Sequence, residues 1–271
     1  MNIMLNLRAV KGRAYPRVIG ALREPSWMFW EVVLPMLSIS AYIYVYRNLG
    51  APKEFEGFVV LGGVMTTYWL NVLWGMAAQL YWEKETANLQ LYLAAPMSKM
   101  AILGGMALGG MFSTTVRGVS IILIGILVFD VTLVVTDLWL LIIIFVVTLM
   151  ALYGMGMLFA SLFLMYGREA WHLNILLEEP IYFLSGYTFP VKALGMTLSA
   201  CASIIPFTLG LDAMRQLIFP SVALEWGLFP PLWELSILIV MGCVLIFLAR
   251  IALDTIERAG RRKGTLTMRW Q

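Results

Sequence analysis

Charge is scarce in this sequence. Only 13% of its 271 residues are Asp, Glu, Lys or Arg, against 61% apolar ones, whereas a soluble domain carries about 25% charged residues. A compact body with so little charge does not stay in water, which excludes a soluble enzyme, a disordered chain and a nucleic-acid binder. Cysteine is almost absent. Cys201 and Cys243 have no second thiol or histidine near them in sequence, so neither a disulfide framework nor a metal site is expected. The one histidine, His172, reads as an interfacial residue rather than a ligand. There is no G-x-x-x-x-G-K-[ST], no H-E-x-x-H and no G-x-S-x-G. Nucleotide binding through a phosphate loop and the familiar hydrolytic centres are therefore not expected on this chain.

Long apolar runs are what the chain has in abundance. A helix needs about 20 apolar residues to cross the hydrocarbon core. Six segments qualify: 27–46, 58–80, one ending near 129 that starts between 101 and 113, 138–165, 171–187 and 232–253. Trp27, Trp30, Trp82, Trp139, Trp171 and Trp233 mark their ends, as indole rings favour the headgroup level. Lys and Arg divide unevenly. Fourteen lie at the termini and in the loops after spans 2 and 4, four (Arg47, Lys53, Lys192, Arg215) lie on the other side, and Arg117 is unassigned. The positive-inside rule then puts both termini in the cytoplasm. No cleavable signal peptide is expected before the first run. The fold expectation is an all-α integral membrane protein, one transmembrane domain over 1–271. It comprises an interfacial helix at 1–25, six spans within 27–253 and a basic cytoplasmic tail at 254–271.

Segments between the spans carry further signals. In the leader, Val10, Ala14, Val18 and Leu22 share a helical face, with Arg13, Arg17 and Glu24 opposite and Pro16 starting or kinking the helix. Its basic residues serve either as a mechanical interfacial helix or as a plain positive-inside anchor. The loop WEKETANLQLYLAAPMSK (82–99) predicts a short apolar helix over 89–95, capped by Asn88 and ended by Pro96. An apolar cytoplasmic helix of this kind needs a partner surface. The stretch 186–231 is too apolar for a solvated loop and is cut by Pro190, Pro206 and Pro220, the pattern of re-entrant helices. Asp212 and Arg215 are spaced to pair on one turn.

Polar residues within spans are functional candidates by default. Asn174, Glu178, Tyr182 and Ser185 share a face of span 5 and, with Asn71 of span 2, are candidates for a substrate path. Alternatively Glu178 only joins helices, paired with Arg117 or His172. Arg117 has two arrangements: deep and obliged to pair if span 3 starts at Ala101, or, the favoured one, snorkelling near the cytoplasmic end of span 3 if 97–112 is an interfacial helix. Gly105 and Gly109 have the small-xxx-small spacing that permits close helix contact.

Three stretches in order resemble the permease subunits of type 2 ABC exporters: WEKETANLQLYLAAPMSK (82–99), FLSGYTFPVKALG (183–195) and IIPFTLGLDAMRQLIF (204–219). Ala87, Asn88 and Gln90 depart from that family's more common Gly, Thr and Glu. The resemblance implies that the 88–96 helix couples the chain to a separate ATPase subunit through Glu83, Glu85, Asn88, Leu89, Leu93 and Pro96. It also implies a re-entrant gate on the outer side at Gly186, Pro190, Pro206, Asp212 and Arg215. The expected assembly is two ATPase subunits, which hold the ATP and Mg, and two permease copies, a homodimer, in the cytoplasmic membrane. Its cargo would be hydrophobic or amphipathic: a drug, a lipid or a lipid-linked glycan. This chain itself would bind no cofactor and no nucleic acid. Two other readings stand beside it: an intramembrane enzyme using Glu178 and Glu179, and an ion-coupled secondary transporter, although no repeat between the two halves favours the latter.

Overall fold

The computed structural model describes residues 3–86, 88–166 and 170–263. Every regular element among them is helical. In order they are α1 (Ile3–Arg23), α2 (Pro25–Asn48), α3 (Glu54–Leu70), a π-helical stretch (Asn71–Ala77), α4 (Gln79–Glu85), α5 (Asn88–Ala94), α6 (Lys99–Phe129), α7 (Leu138–Tyr166) and α8 (Ala170–Leu184). A 3-10 turn (Val191–Leu194), α9 (Met196–Ala202), α10 (Pro206–Ile218), α11 (Pro220–Trp226) and α12 (Pro231–Lys263) complete the chain. Proline sets many of these boundaries. Pro25, Pro206, Pro220 and Pro231 each open a helix, where the missing N–H costs nothing, and Pro96 lies just beyond the end of α5.

Five helices are long and apolar enough to cross a membrane: Pro25–Asn48, Glu54–Glu85, Lys99–Phe129, Leu138–Phe163 and Pro231–Ile256. The pair α9 and α10, bent by 112°, makes a sixth if it counts as one crossing. The expected fifth span, α8, has only 15 residues, about 22 Å of helix against a core of about 30 Å. The most buried crossing is α3 with its π-helical continuation, which sits among α2, α6, α7 and α10.

Three expectations are corrected by this arrangement. First, α6 is continuous from Lys99, so no separate interfacial helix occupies 97–112. Arg117 does not snorkel. It is paired with Glu31 of α2 at 3.0 Å and donates to Thr114 Oγ1. The glycines spaced for close helix contact, Gly105 and Gly109, are the bed of α1. A Cβ on Gly105 would stand 2.6 Å from Val10 O, and one on Gly109 2.9 Å from the Arg17 Cβ. Second, α1 begins at Ile3, well before Pro16, so Pro16 lies inside the helix and does not start it. Third, Arg13 and Arg17 do not point away from the bundle. They share the inward face of α1 with Val10 and Ala14, because the acceptors that satisfy them lie within the bundle.

Candidate functional site

A polar network joins α1, α4, α5 and α6 at one end of the bundle. The Arg13 guanidinium makes an ion pair with Glu83 and donates to Tyr92 Oη at 2.7 Å, with the Arg13 carbon over the Tyr92 ring. Glu83 also accepts from Gln79 Nε2 at 3.2 Å. One turn on, Arg17 donates to the Gly75 carbonyl, to Gln79 Oε1 at 3.1 Å and to Met106 O at 3.2 Å. Gly75 belongs to the π-helical stretch, where the ladder is widened and a carbonyl is open to an outside donor. Burial, and next the neighbouring Arg13, push the Arg17 guanidinium down to about 10, so it stays cationic at neutral pH. Burial likewise raises the Tyr92 phenol. The N-terminal helix is thereby tied to the α4–α5 turn through charge.

This end also holds the six residues expected to couple to a partner. Glu83 is buried and faces Arg13, so it does not reach an outside surface. Leu89 is likewise inward, 5% exposed and part of the main core. Asn88 is exposed and is the first residue of α5 rather than its cap, donating to Thr86 Oγ1 at 3.1 Å. Glu85 is half-buried, Pro96 is exposed and the Leu93 side chain lies outside the described ones, as does Ala87. The outward face of α5 is Gln90, Leu91 and Ala94, with Leu91 69% exposed.

Mid-bundle, the α8 face is only partly assembled as expected. Glu178 accepts from Trp74 Nε1 at 2.7 Å and from Tyr182 Oη at 3.3 Å. Arg117 is held elsewhere by Glu31, and His172 is exposed. Asn174 is fully buried, and its amide has no hydrogen-bond partner among the described residues. Ser185 is buried and donates back to Ile181 O. Asn71 does not join them: its Oδ1 accepts from Tyr153 Oη of α7 at 2.8 Å, and it packs against Gly75 and Gly110. A cleft of about 420 Å³ opens beside this face, between α2, α3 and α8, lined by Pro35, Ile39, Thr66, Thr67, Tyr182 and Tyr187. Glu179 is exposed.

At the opposite end Arg215 organises the segment after α8. It is buried and donates to four backbone carbonyls: Gly186 at 2.6 Å, Tyr187 at 2.7 Å, Phe58 at 2.8 Å and Phe189 at 3.1 Å. Three of these carbonyls lie in the loop after α8 and the fourth, Phe58 O, in the first turns of α3, and one guanidinium presents five donors to them. The expected Asp212–Arg215 pair is not made. Asp212 instead accepts from Gln216 Nε2 and from the Leu228 N–H. Gly186 takes φ 67°, and a Cβ there would stand 2.9 Å from Phe189 O, so the tight turn needs glycine. Pro190 is buried where it leads into the 3-10 turn, and Pro206 is the buried first residue of α10.

Sequence reasoning missed Arg13, Arg17, Tyr92, Trp74 and Glu31. The i, i+4 spacing of Arg13 and Arg17 was visible, but their acceptors lie 58 to 89 residues away. A family model described as "ABC-2 type transporter" matches residues 17–219, most of the chain. No curated protein matches it.

Proposed function

This chain belongs to the ABC-2 type transporter family and is the permease component of an ABC transporter; from that premise we propose that it exports a hydrophobic or amphipathic cargo, driven by ATP hydrolysed on a separate subunit. Both termini, and with them the α4–α5 turn, face the cytoplasm. Two copies of the chain and two ATPase subunits make the working unit.

The observation that carries this reading is the two-sided α5. Its inner side is anchored by Leu89 in the core and by Tyr92 on Arg13. Its outer side offers Gln90, Leu91 and Ala94 to a partner. A push on α5 reaches α4 through Glu83 and α1 through Arg13, and it reaches the central crossing through Arg17 on Gly75. The π-helical stretch is the natural place for that crossing to yield, because its hydrogen-bond ladder is the least regular part. Beyond it lies the cleft between α2, α3 and α8, whose mixed hydroxyl and aliphatic walls suit a cargo with both a polar and an apolar part. Glu178, one turn from Tyr182 and bonded to it, sets a carboxyl group just behind a lining residue of that path. The Arg215-stapled segment over the outer end serves as the gate.

The test is co-purification of the ATPase subunit with Leu91→Asp. A charge on the outward face of α5 should abolish it while the permease remains folded. Full retention of the subunit would place the docking surface elsewhere.

A further inference from the structure

A second cleft, of about 320 Å³, opens on another face of α3, between α6 and α7. These two crossings follow one another in the chain. Helix α6 packs on α3, and α7 packs on its π-helical continuation and on α10. Among the described residues they make little contact with each other, which leaves a slit floored by Leu61, Val64 and Tyr68 of α3. The lips are Val119 of α6 and Ile142 of α7, both exposed, while Val64 and Tyr68 are buried. The end nearest Arg215 is roofed by Met214 and Ile218 of α10 with Leu133 and Val135 of the α6–α7 loop. That loop is stitched to α10 by the Val134 N–H on Ile218 O at 3.2 Å and the Thr136 N–H on Leu217 O at 3.0 Å. Thr115, at the inner end, lies 14 residues before Phe129 where α6 ends, about 21 Å along the helix. The slit therefore runs inward from one boundary of a hydrocarbon core of about 30 Å to beyond its middle.

We propose that this slit holds one acyl chain of a bilayer phospholipid, with the headgroup left outside. Water does not suit it. Among the described residues its only polar side chains are Tyr68 and Thr115, and both are already spent. Tyr68 Oη lies 2.7 Å from Thr115 Oγ1, which in turn donates to Met111 O at 2.7 Å. A buried water needs about two to four polar partners. An empty slit would forfeit the dispersion contacts of its walls. The mouth is continuous with the surface of helices that cross the membrane, so hydrocarbon is what stands at it. A helix from a second copy fits less well. Helices that meet within a membrane do so at small residues, and the exposed residues at and beside the mouth include Val116, Val119, Leu123, Ile142 and Val146. The nearby glycines of α6 are used inward, Gly118 against Val64 and Gly125 against Val60. The roof closes the end at which a headgroup would enter. The volume is at the bottom of the range of about 300–1,000 Å³ for ligand sites, room for a chain rather than a whole lipid. Met214 immediately precedes Arg215 and Ile218 follows it by three, so the seated chain packs on the helix that staples the loop after α8. The inference needs only that the spans cross a membrane. It does not depend on the cargo, on ATP or on which face is cytoplasmic.

The experiment uses the full chain in phosphatidylcholine nanodiscs containing a trace of phosphatidylcholine with a diazirine near the middle of one acyl chain, and maps the labelled peptides. Lipid that merely surrounds the bundle labels exposed faces such as Val240 and Val244 of α12. A seated chain also labels residues 64–68 of α3, which are buried. That floor labelling is expected, and to the same extent in discs of phosphatidylglycerol, because the slit takes the chain and not the headgroup. Val119→Trp, which plugs the mouth from one lip, should lower it by on the order of tenfold and leave the α12 labelling unchanged. Val119→Ala should retain it. Should the Trp variant fail to fold, Ile142→Trp on the other lip carries the same test. Labelling confined to exposed faces, floor labelling unchanged in the folded Trp variant, or dependence on the headgroup would each overturn the proposal. So would an adduct to a second copy from a photo-crosslinking residue at position 119, which would put that copy in the slit. Failure of an ATPase subunit to bind would leave the floor labelling unaltered, so the two readings fail separately.

Discussion

Replacing Arg13 or Glu83 with glutamine should release α1 from the bundle. The Glu83 side chain is 6% exposed and that of Arg13 20%. Breaking a fully buried pair costs about 3–5 kcal/mol. Here the orphaned Arg13 keeps Tyr92 as a partner and has some access to water, which brings the expected cost of Glu83→Gln to about 2 kcal/mol. That cost falls on a local opening, since Arg13 and Arg17 make the side-chain bonds described between α1 and α4–α5. Amide hydrogen exchange across α1 reads such openings directly. It should speed up by about 30-fold for a 2 kcal/mol loss, while exchange in α7 and α12 stays unchanged. In the double variant the two effects should not add, leaving a coupling energy of about 1–2 kcal/mol. In the reconstituted transporter the same variants should leave ATP turnover in place and lower the cargo moved per ATP. Exchange in α1 within about threefold of the parent, together with coupling below about 0.5 kcal/mol, would refute the latch.

Arg215→Met should cost several kcal/mol, since it strips four buried or half-buried carbonyls of their donor. A melting curve, or failure to accumulate in the membrane, measures it, and a loss under about 1 kcal/mol would mean that water already serves those carbonyls. Glu178→Gln keeps an acceptor for Trp74 and removes the charge. It should change transport while leaving expression and subunit assembly intact, and equal transport and ATPase stimulation would remove Glu178 from the path.

Five of the six expected spans were legible because their signal is local, whereas the fifth, α8, is only 15 residues long. Twenty apolar residues in a row leave few alternatives, and tryptophan and proline marked most ends within a few residues. Span 3 was favoured to start late because Arg117 was expected to snorkel near the cytoplasmic end, whereas it pairs with Glu31 within the bundle; the close contact expected at Gly105 and Gly109 is made, with α1. The α1 face was misassigned for a related reason. Hydrophobic periodicity assumes that arginine seeks water, and Arg13 and Arg17 found Glu83 and Gly75 O instead. Such pairings depend on which helices become neighbours, information that no window of sequence contains. The same holds for Asp212 and Arg215, adjacent on one turn yet bonded to different loops. The α5 helix was anticipated, but which leucine faces out was settled only by the fold: Leu89 turned inward, Leu91 outward.

The central claim is that an outside motor grips α5. A photo-crosslinking residue at position 91, with a control at the exposed Leu127 near the other end of α6, tests it in intact membranes. The account predicts an adduct at 91, absent at 127, to a protein carrying G-x-x-x-x-G-K-[ST]. A nucleotide-binding adduct at 127, or capture of no such protein at 91 from cells in which the transporter is active, would contradict it.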